Sequence, residues 1–149
     1  MVPSSRVVSV AARSSLSTAS SFASKHSLPS SPPIKPYGSY SELAEDADVT
    51  AVYVGSVHVF RRSHAETFLK AGKHLLLEKP LALSADDARH IYDLAESRGL
   101  MVTEGMWTYY FPAVEYARSL VAGGGLGRAT SVTSDFHFDA KGQEDPETR

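Results

Sequence analysis

The sequence of 149 residues contains no cysteine and only one tryptophan. Without cysteine the chain can form no disulfide, no thiolate nucleophile and no cysteine-ligated zinc site. No apolar run approaches the roughly 20 residues that a membrane-spanning helix needs. The formal net charge is −2, so the sequence gives no reason to expect a nucleic acid or an anionic membrane as partner. Together with the length, these absences indicate a globular chain of about one domain.

Several common catalytic motifs are also missing from the sequence. It has no Gly-x-Ser-x-Gly nucleophile elbow, no phosphate-loop signature and no Gly-x-Gly-x-x-Gly turn. The histidines show no spacing typical of metal ligands, and we therefore predict no metal site. They are His26, His58, His64, His74, His90 and His137.

Acidic residues are absent from the first part of the chain, up to Glu42. Residues 1–25 are rich in serine and carry Arg6, Arg13 and Lys25, a composition that is typical of a transit peptide. The alternative is a strand followed by a helix. We favour the folded alternative because the same alternation continues along the chain, and we expect a cytoplasmic protein, with mitochondrial targeting as the other possibility.

Short apolar strands alternate with amphipathic helices along most of the sequence. This alternation predicts an α/β fold with a doubly wound parallel sheet that is covered by helices on both faces. The predicted strands are 6–12, 51–55, 74–77 and 100–103, and the predicted helices are 17–25, 60–71, 84–98 and 112–121. Residues 28–36 carry four prolines and predict a loop, Ser39 predicts the cap of a short helix with Leu43 and Ala44 facing the core, and the alternating segment 129–138 predicts an amphipathic strand. Ser84 and Gly99 predict the start and the end of the helix 84–98. The predicted apolar stripe of the helix 17–25 is Ala19, Phe22 and Ala23, and that of the helix 60–71 is Phe60, His64, Thr67, Phe68 and Ala71.

Ligands of parallel sheets bind beyond the carboxyl ends of the strands, which selects the residues to consider. Arg13 and Ser14 follow the first predicted strand, where a guanidinium and a hydroxyl suit the 2′-phosphate of NADP. Ser56 and His58 follow the next strand, where a glycine–serine turn suits a phosphate or a ribose. The alternative is an ordinary surface arginine and a plain strand-to-helix turn.

Glu78, Lys79 and Pro80 directly follow the strand 74–77. An amine held at this point can polarise a substrate oxygen during hydride transfer, while Glu78 can bond the nicotinamide ribose. Proline restrains the backbone of the lysine and permits a cis bond before it. The alternative is a solvated ion pair in a turn.

Aromatic side chains crowd the loop 103–112 after the fourth predicted strand. Such a loop can form one wall of a cavity for an apolar or sugar-like substrate. A cluster within the core is the alternative.

The segments AGKHLLLEKPLALSADDARHIYDLAESRGL and EGMWTYYFPA together resemble the glucose–fructose oxidoreductase / inositol dehydrogenase family. The resemblance spans about residues 7–139 and is nearest to the NADP-dependent branch that acts on trans-dihydrodiols or on aldose sugars such as D-xylose. It implies a Rossmann-like fold, a catalytic role for Lys79, and positions for Trp107 and Phe111 near the substrate. It also implies a small-molecule substrate, and homodimers among the full-length relatives.

The sequence departs from the family pattern in its glycine-rich turn and at two single positions. The family's first strand and its glycine-rich turn have no counterpart, so we expect residues 1–128 to form a shortened dinucleotide-binding domain and residues 129–149 to start the second domain. Arg61 stands where the family usually has histidine, and Tyr109 where relatives commonly have arginine. Because the glycine-rich turn cradles the pyrophosphate, we expect weak NADP binding and doubtful activity. The alternative function is a non-catalytic α/β fragment or pseudoenzyme that associates with a full-length subunit.

Overall fold

The computed structural model describes residues 9–11, 15–26 and 33–137. The described residues up to Trp107 belong to one compact unit, and those from Thr108 onward belong to a second. In chain order the elements are β1 (Ser9–Ala11), α1 (Leu16–His26), β2 (Lys35–Tyr37), α2 (Tyr40–Glu45), β3 (Ala51–Val54), α3 (Arg61–Lys70), β4 (His74–Glu78), α4 (Ala85–Ser97), β5 (Val102–Gly105) and α5 (Pro112–Ala122). Single 3₁₀ turns, His58–Phe60 and Trp107–Tyr110, precede α3 and α5.

All the strand pairs in the described part of the chain are parallel, as the sequence predicted. They fall into two hydrogen-bonded groups, β1–β2 and β3–β4–β5, where we had expected one continuous sheet. In the larger group Val54 pairs with Leu77, and Glu78 pairs with Gly105. This register aligns the carboxyl ends of β3, β4 and β5 at one edge.

Helices α3 and α4 cover one face of β3–β4–β5, and their buried side chains form the centre of the core. The most deeply buried large side chains are Phe68 and Leu69 of α3, Leu77 of β4 and Ile91 of α4. Burying a side chain of this size stabilises the fold by about 1.5–3 kcal/mol. Leu43 and Ala44 of α2 join the same core, as predicted.

Local signals in the sequence set the ends of the helices. Ser84 accepts a hydrogen bond from the amide of Asp87, which caps α4 as predicted. Ser39 caps α2 in the same way through the amide of Glu42, whose carboxylate accepts a bond from the amide of Gly38. After α3, Gly72 adopts a φ of 78°, the left-handed conformation that a glycine adopts without steric cost.

Three predictions of local structure need correction. Strand β2 lies partly within the predicted loop 28–36, since Pro36 pairs with Val10 of β1 although proline cannot donate to the ladder. Phe22 of α1 was predicted to face the core and is 47% exposed. The buried stripe of α3 is rotated from the predicted one, and consists of Arg61, Ala65, Phe68 and Leu69.

The second unit contains α5, which begins at Pro112 as predicted. The predicted strand 129–138 is wrong over 129–137, where the described backbone has no strand and Val132 and Phe136 are exposed. Alternation alone does not make a strand, because a strand also needs a neighbour for its ladder hydrogen bonds. Among the described residues, no helix has both the length and the apolar character needed to cross a membrane.

Candidate functional site

Two turns lie together at the carboxyl edge of β3–β4–β5. The first follows β3 and contains Ser56, and the second follows β4 and contains Glu78, Lys79 and Pro80. The guanidinium of Arg61 donates to the carbonyl oxygen of Ser56 and also to the carbonyl oxygens of Glu78 and Pro80. One side chain therefore contacts both turns, which brings Ser56 and Lys79 to the same edge as the sequence predicted.

The turn after β4 exposes Lys79 at its tip. The backbone amide of Lys79 donates to Glu78 Oε2 over 2.7 Å, and the peptide bond between Lys79 and Pro80 is cis. Leu81 then returns the chain to the core, and its amide donates to Glu104 Oε1 over 2.8 Å. Hydrogen bonds on both sides of Lys79 thus fix its backbone, while its amine extends toward solvent.

Tyr53 stands beside the carboxylate of Glu78 on the face of the sheet opposite α3 and α4. Partial burial and the neighbouring negative charge of Glu78 raise the pKa of the Tyr53 phenol. The Tyr53 ring also lies over Gly55, where an added Cβ would approach the ring to 3.1 Å. A glycine at this position lets the aromatic ring lie close to the backbone at the end of β3.

The hydroxyl of Ser56 forms a hydrogen bond of 2.9 Å with Nδ1 of His64, a residue of α3. The ring of Tyr40 meets His64 edge-on, with 4.5 Å between the ring centroids. Ser56 is thus held by α3 through two contacts, its hydroxyl by His64 and its carbonyl by Arg61.

The other predicted cofactor-binding residues are Arg13, Ser14 and His58. Arg13 and Ser14 fall outside the described residues. His58 lines a cavity of about 250 Å³ between the starts of α3 and α4, together with Arg62, Leu83 and Asp87. His58 lies two residues beyond Ser56, in the 3₁₀ turn that precedes α3, and its predicted role in cofactor binding stays a prediction.

The aromatic side chains of the loop after β5 are exposed in the structure. Trp107 ends the first unit and is half-exposed, and Phe111 belongs to the second unit and is also exposed. Their proximity to a substrate stays a prediction.

The chemistry of the edge fits the sugar and phosphate groups of a dinucleotide. Gly55 exposes its backbone, Ser56 offers a hydroxyl, Glu78 offers carboxylate oxygens that accept bonds from ribose hydroxyls, and Lys79 offers an exposed amine. Over the described part of the chain, no group of three or more histidine, aspartate or glutamate side chains is arranged to hold a metal ion.

Two residues that build the edge, Arg61 and Glu104, were not predicted as site residues. Both act on backbone groups, so no motif reveals them. The available signal was the position of Arg61, a charged residue one turn before Ala65 and two turns before Phe68 on the buried stripe of α3.

Comparison with protein families gives a match over residues 3–106. The matching model is GFO_IDH_MocA, described as an oxidoreductase family with an NAD-binding Rossmann fold. The matched range includes Arg13, both turns and Arg61.

Among curated proteins, the chain is 45% identical over 138 residues to trans-1,2-dihydrobenzene-1,2-diol dehydrogenase from Bos taurus, covering 91% of this chain and 39% of that protein. The human enzyme of the same name is 42% identical over 131 residues, which cover 88% of this chain and 37% of that protein. The chain thus spans less than half the length of these relatives.

Solved structures share the same fold. A 3-ketoreductase from Actinomadura kijaniata in complex with NADP and TDP-benzene gives a TM-score of 0.71 at 29% identity, covering 82% of this chain and 35% of that chain. An NAD binding oxidoreductase from Klebsiella pneumoniae gives a TM-score of 0.71 at 26% identity, covering 80% of this chain and 30% of that chain. The Rossmann-like fold predicted from the sequence is therefore confirmed.

Proposed function

Because this chain belongs to the GFO/IDH/MocA oxidoreductase family, we propose that it acts as an NADP-dependent oxidoreductase on the CH–OH groups of a trans-dihydrodiol or an aldose. The observation that carries the proposal is the meeting of Ser56 with the Glu78–Lys79–Pro80 turn at the carboxyl edge of the sheet. Dihydrodiols are favoured by the names of the curated relatives. NADP is favoured by the ligand of the ketoreductase and by the predicted role of Arg13.

Each residue at the edge has a proposed role. A bound NADP would supply the acceptor for the hydride of the alcohol carbon. Lys79 takes the proton of the substrate hydroxyl at its Nζ and returns it in the reverse direction. The carboxylate of Glu78 accepts hydrogen bonds from the ribose, and Ser56 contacts the cofactor backbone. We further propose a cytoplasmic location, and a homodimer for the full-length protein.

Cofactor binding is the first test of this proposal. We expect NADPH to bind the chain weakly but saturably, with fluorescence enhancement, and to bind at least tenfold more tightly than NADH, as about 1.4 kcal/mol of added phosphate contacts would give. Changing Arg13→Ala should remove most of that preference. Equal affinity for the two cofactors would contradict the NADP assignment.

Turnover tests the role of Lys79. Replacing Lys79→Met should lower kcat by about 10²–10⁴-fold, the usual contribution of a positioned proton-transfer group, and should weaken NADPH binding far less. Lys70→Met is the matched control, because Lys70 is an exposed lysine that pairs with Glu66 on α3. A Lys79→Met variant with unchanged kcat would remove the assignment.

The alternative function is a non-catalytic chain that associates with a full-length subunit. The exposure of Tyr53 and Leu76 on one face of the sheet favours it, since exposed apolar patches often mark interaction sites. It predicts no saturable NADPH binding by this chain alone and co-purification with the longer protein.

A further inference from the structure

Arg61 is a buried charged residue at the start of α3, with only 3% of its surface exposed. Its guanidinium reaches three backbone carbonyl oxygens, including that of Glu78 at 2.5 Å from Nη1. Two of these carbonyls flank Lys79, and the third belongs to Ser56 in the neighbouring turn. All three acceptors are backbone oxygens, and none of them is a carboxylate.

The shape of the arginine side chain accounts for this arrangement. A guanidinium is planar and presents five N–H donors in a rigid fork, which lets it join several acceptors that face different directions. A buried charge is costly unless hydrogen bonds compensate it. Here the Nε of Arg61 is buried and has no partner among the described residues. Arg61 thus buries one donor that has no hydrogen bond within the described part of the chain, and its two terminal nitrogens make all the contacts to the turns.

Glu104 holds the same turn from its far end. Its Oε1 accepts the amide of Leu81. Because Glu104 pairs with Leu77 in the register of β4 and β5, the two residues project on the same face of the sheet. The backbone on both sides of Lys79 is therefore held by side chains from α3 and β5.

We propose that Arg61 is a positioning residue that fixes the Lys79 turn relative to the Ser56 turn. The chemical role of Lys79 rests on the proposed function, whereas the geometric role of Arg61 does not. Arg61 touches backbone carbonyls only, and it acts on the reaction through the placement of Lys79.

Hydrogen exchange of the full chain tests the geometric role directly. The variant is Arg61→Lys, which keeps the charge but loses the fork, and the control is Arg62→Lys on the same helix. Arg62 is exposed and pairs with Glu66 and Asp87. We expect Arg61→Lys to speed exchange in the peptides covering 56–58 and 79–83 by roughly tenfold, with the amides of α4 unchanged. Arg62→Lys should leave both turns unchanged.

A merely structural role predicts a different pattern. If Arg61 only stabilised the core, exchange would rise across β4, α3 and α4 in proportion to the lost stability, and that result would overturn the proposal. Arg61→Gln serves as a second variant, because a neutral amide fits the same space with fewer donors. Failure of both variants to fold, while Arg62→Lys folds, would likewise assign Arg61 to the core and overturn the positioning role.

Cofactor and substrate kinetics separate this proposal from the proposed function. In Arg61→Lys we expect kcat to fall about tenfold or more with the substrate KM within about twofold, since a misplaced amine affects the reacting state more than substrate binding. A rise in KM alone would overturn the proposal. If the unchanged chain binds no NADPH, the proposed function fails, and the exchange pattern still decides whether Arg61 positions the turn.

Discussion

Both faces of the β3–β4–β5 sheet carry large apolar side chains, but in the residues that the structure describes only one face is covered by helices. On one face Val52, Val54 and Leu77 are buried beneath α3 and α4. On the other face Tyr53 is 60% exposed and Leu76 is 42% exposed, although the residues alternate along the same strands. Strand β4 contains three consecutive leucines, and the structure buries the outer two and exposes the middle one.

This difference shows that an apolar strand sequence does not by itself determine which face of the strand is buried. A continuous apolar run predicts a strand buried on both faces, and the three leucines of β4 form such a run. Burial on a particular face requires a covering element with a matching apolar stripe, which α3 and α4 provide on one side. If coverage by these helices matters more than residue type, the same substitution should lower the free energy of unfolding more on the covered face than on the open face.

The largest expected effect is on the covered face. Replacing Leu77→Ala should lower the free energy of unfolding by about 2–5 kcal/mol, because it leaves a cavity at a site with no exposed surface. The matched change on the open face, Leu76→Ala, should cost less than about 1 kcal/mol. Urea unfolding measures both, and equal losses would show that the faces do not differ energetically.

A smaller effect is expected from the cap of a covering helix. Ser84→Ala removes the acceptor for the amide of Asp87 and should cost about 1 kcal/mol. Ser97→Ala, at the last residue of α4, is the control, since its hydroxyl donates only to the carbonyl of Leu94 at the exposed end of the helix. Thermal unfolding of the two variants checks this prediction, and an equal loss in both would argue against capping as the cause.

The smallest effect concerns the ion pairs on the outer surface of the covering helices. Hydrogen bonds from Lys70 and Arg62 lower the pKa of the Glu66 carboxylate. A carboxylate whose folded pKa is lowered stabilises the fold above its unfolded pKa and loses that contribution as pH falls through the folded value.

We therefore expect stability to fall as pH drops below about 4.5, the region where carboxylates titrate. In Glu66→Gln this pH dependence should be shallower, with a loss below about 1 kcal/mol at neutral pH, as is usual for surface ion pairs. Urea unfolding at several pH values measures the slope, with Glu96→Gln on α4 as the control. An unchanged slope in Glu66→Gln would exclude this carboxylate as a source of acid sensitivity.

The sequence predicted best where independent local signals agreed. Helix α4 was predicted over 84–98 and spans Ala85–Ser97, because its apolar stripe, its serine cap and its terminal glycine indicated the same boundaries. Strand β2 was missed because Pro36 reads as a loop residue, while its place in the structure depends on pairing with β1. The alternating segment 129–138 was predicted as a strand from a local pattern, and the described backbone over 129–137 has no strand.

The candidate site was predictable where it followed from topology. The rule that ligands bind at the carboxyl ends of parallel strands selected Ser56 and Lys79, which the structure brings to one edge. The same rule selected His58, which lies in the 3₁₀ turn after Ser56 and lines the cavity between the starts of α3 and α4. Arg61 and Glu104 were missed because their partners are backbone atoms, and no sequence spacing specifies which carbonyl or amide a distant side chain will reach.

The identity of the cation between the two turns has a consequence for solution conditions. Arginine keeps its proton throughout the pH range in which proteins fold, unlike histidine. The contacts from Arg61 to the backbone of Ser56 and Glu78 should therefore persist from mildly acidic to alkaline buffers. Any dependence of the reaction on pH within that range would then arise from groups other than Arg61.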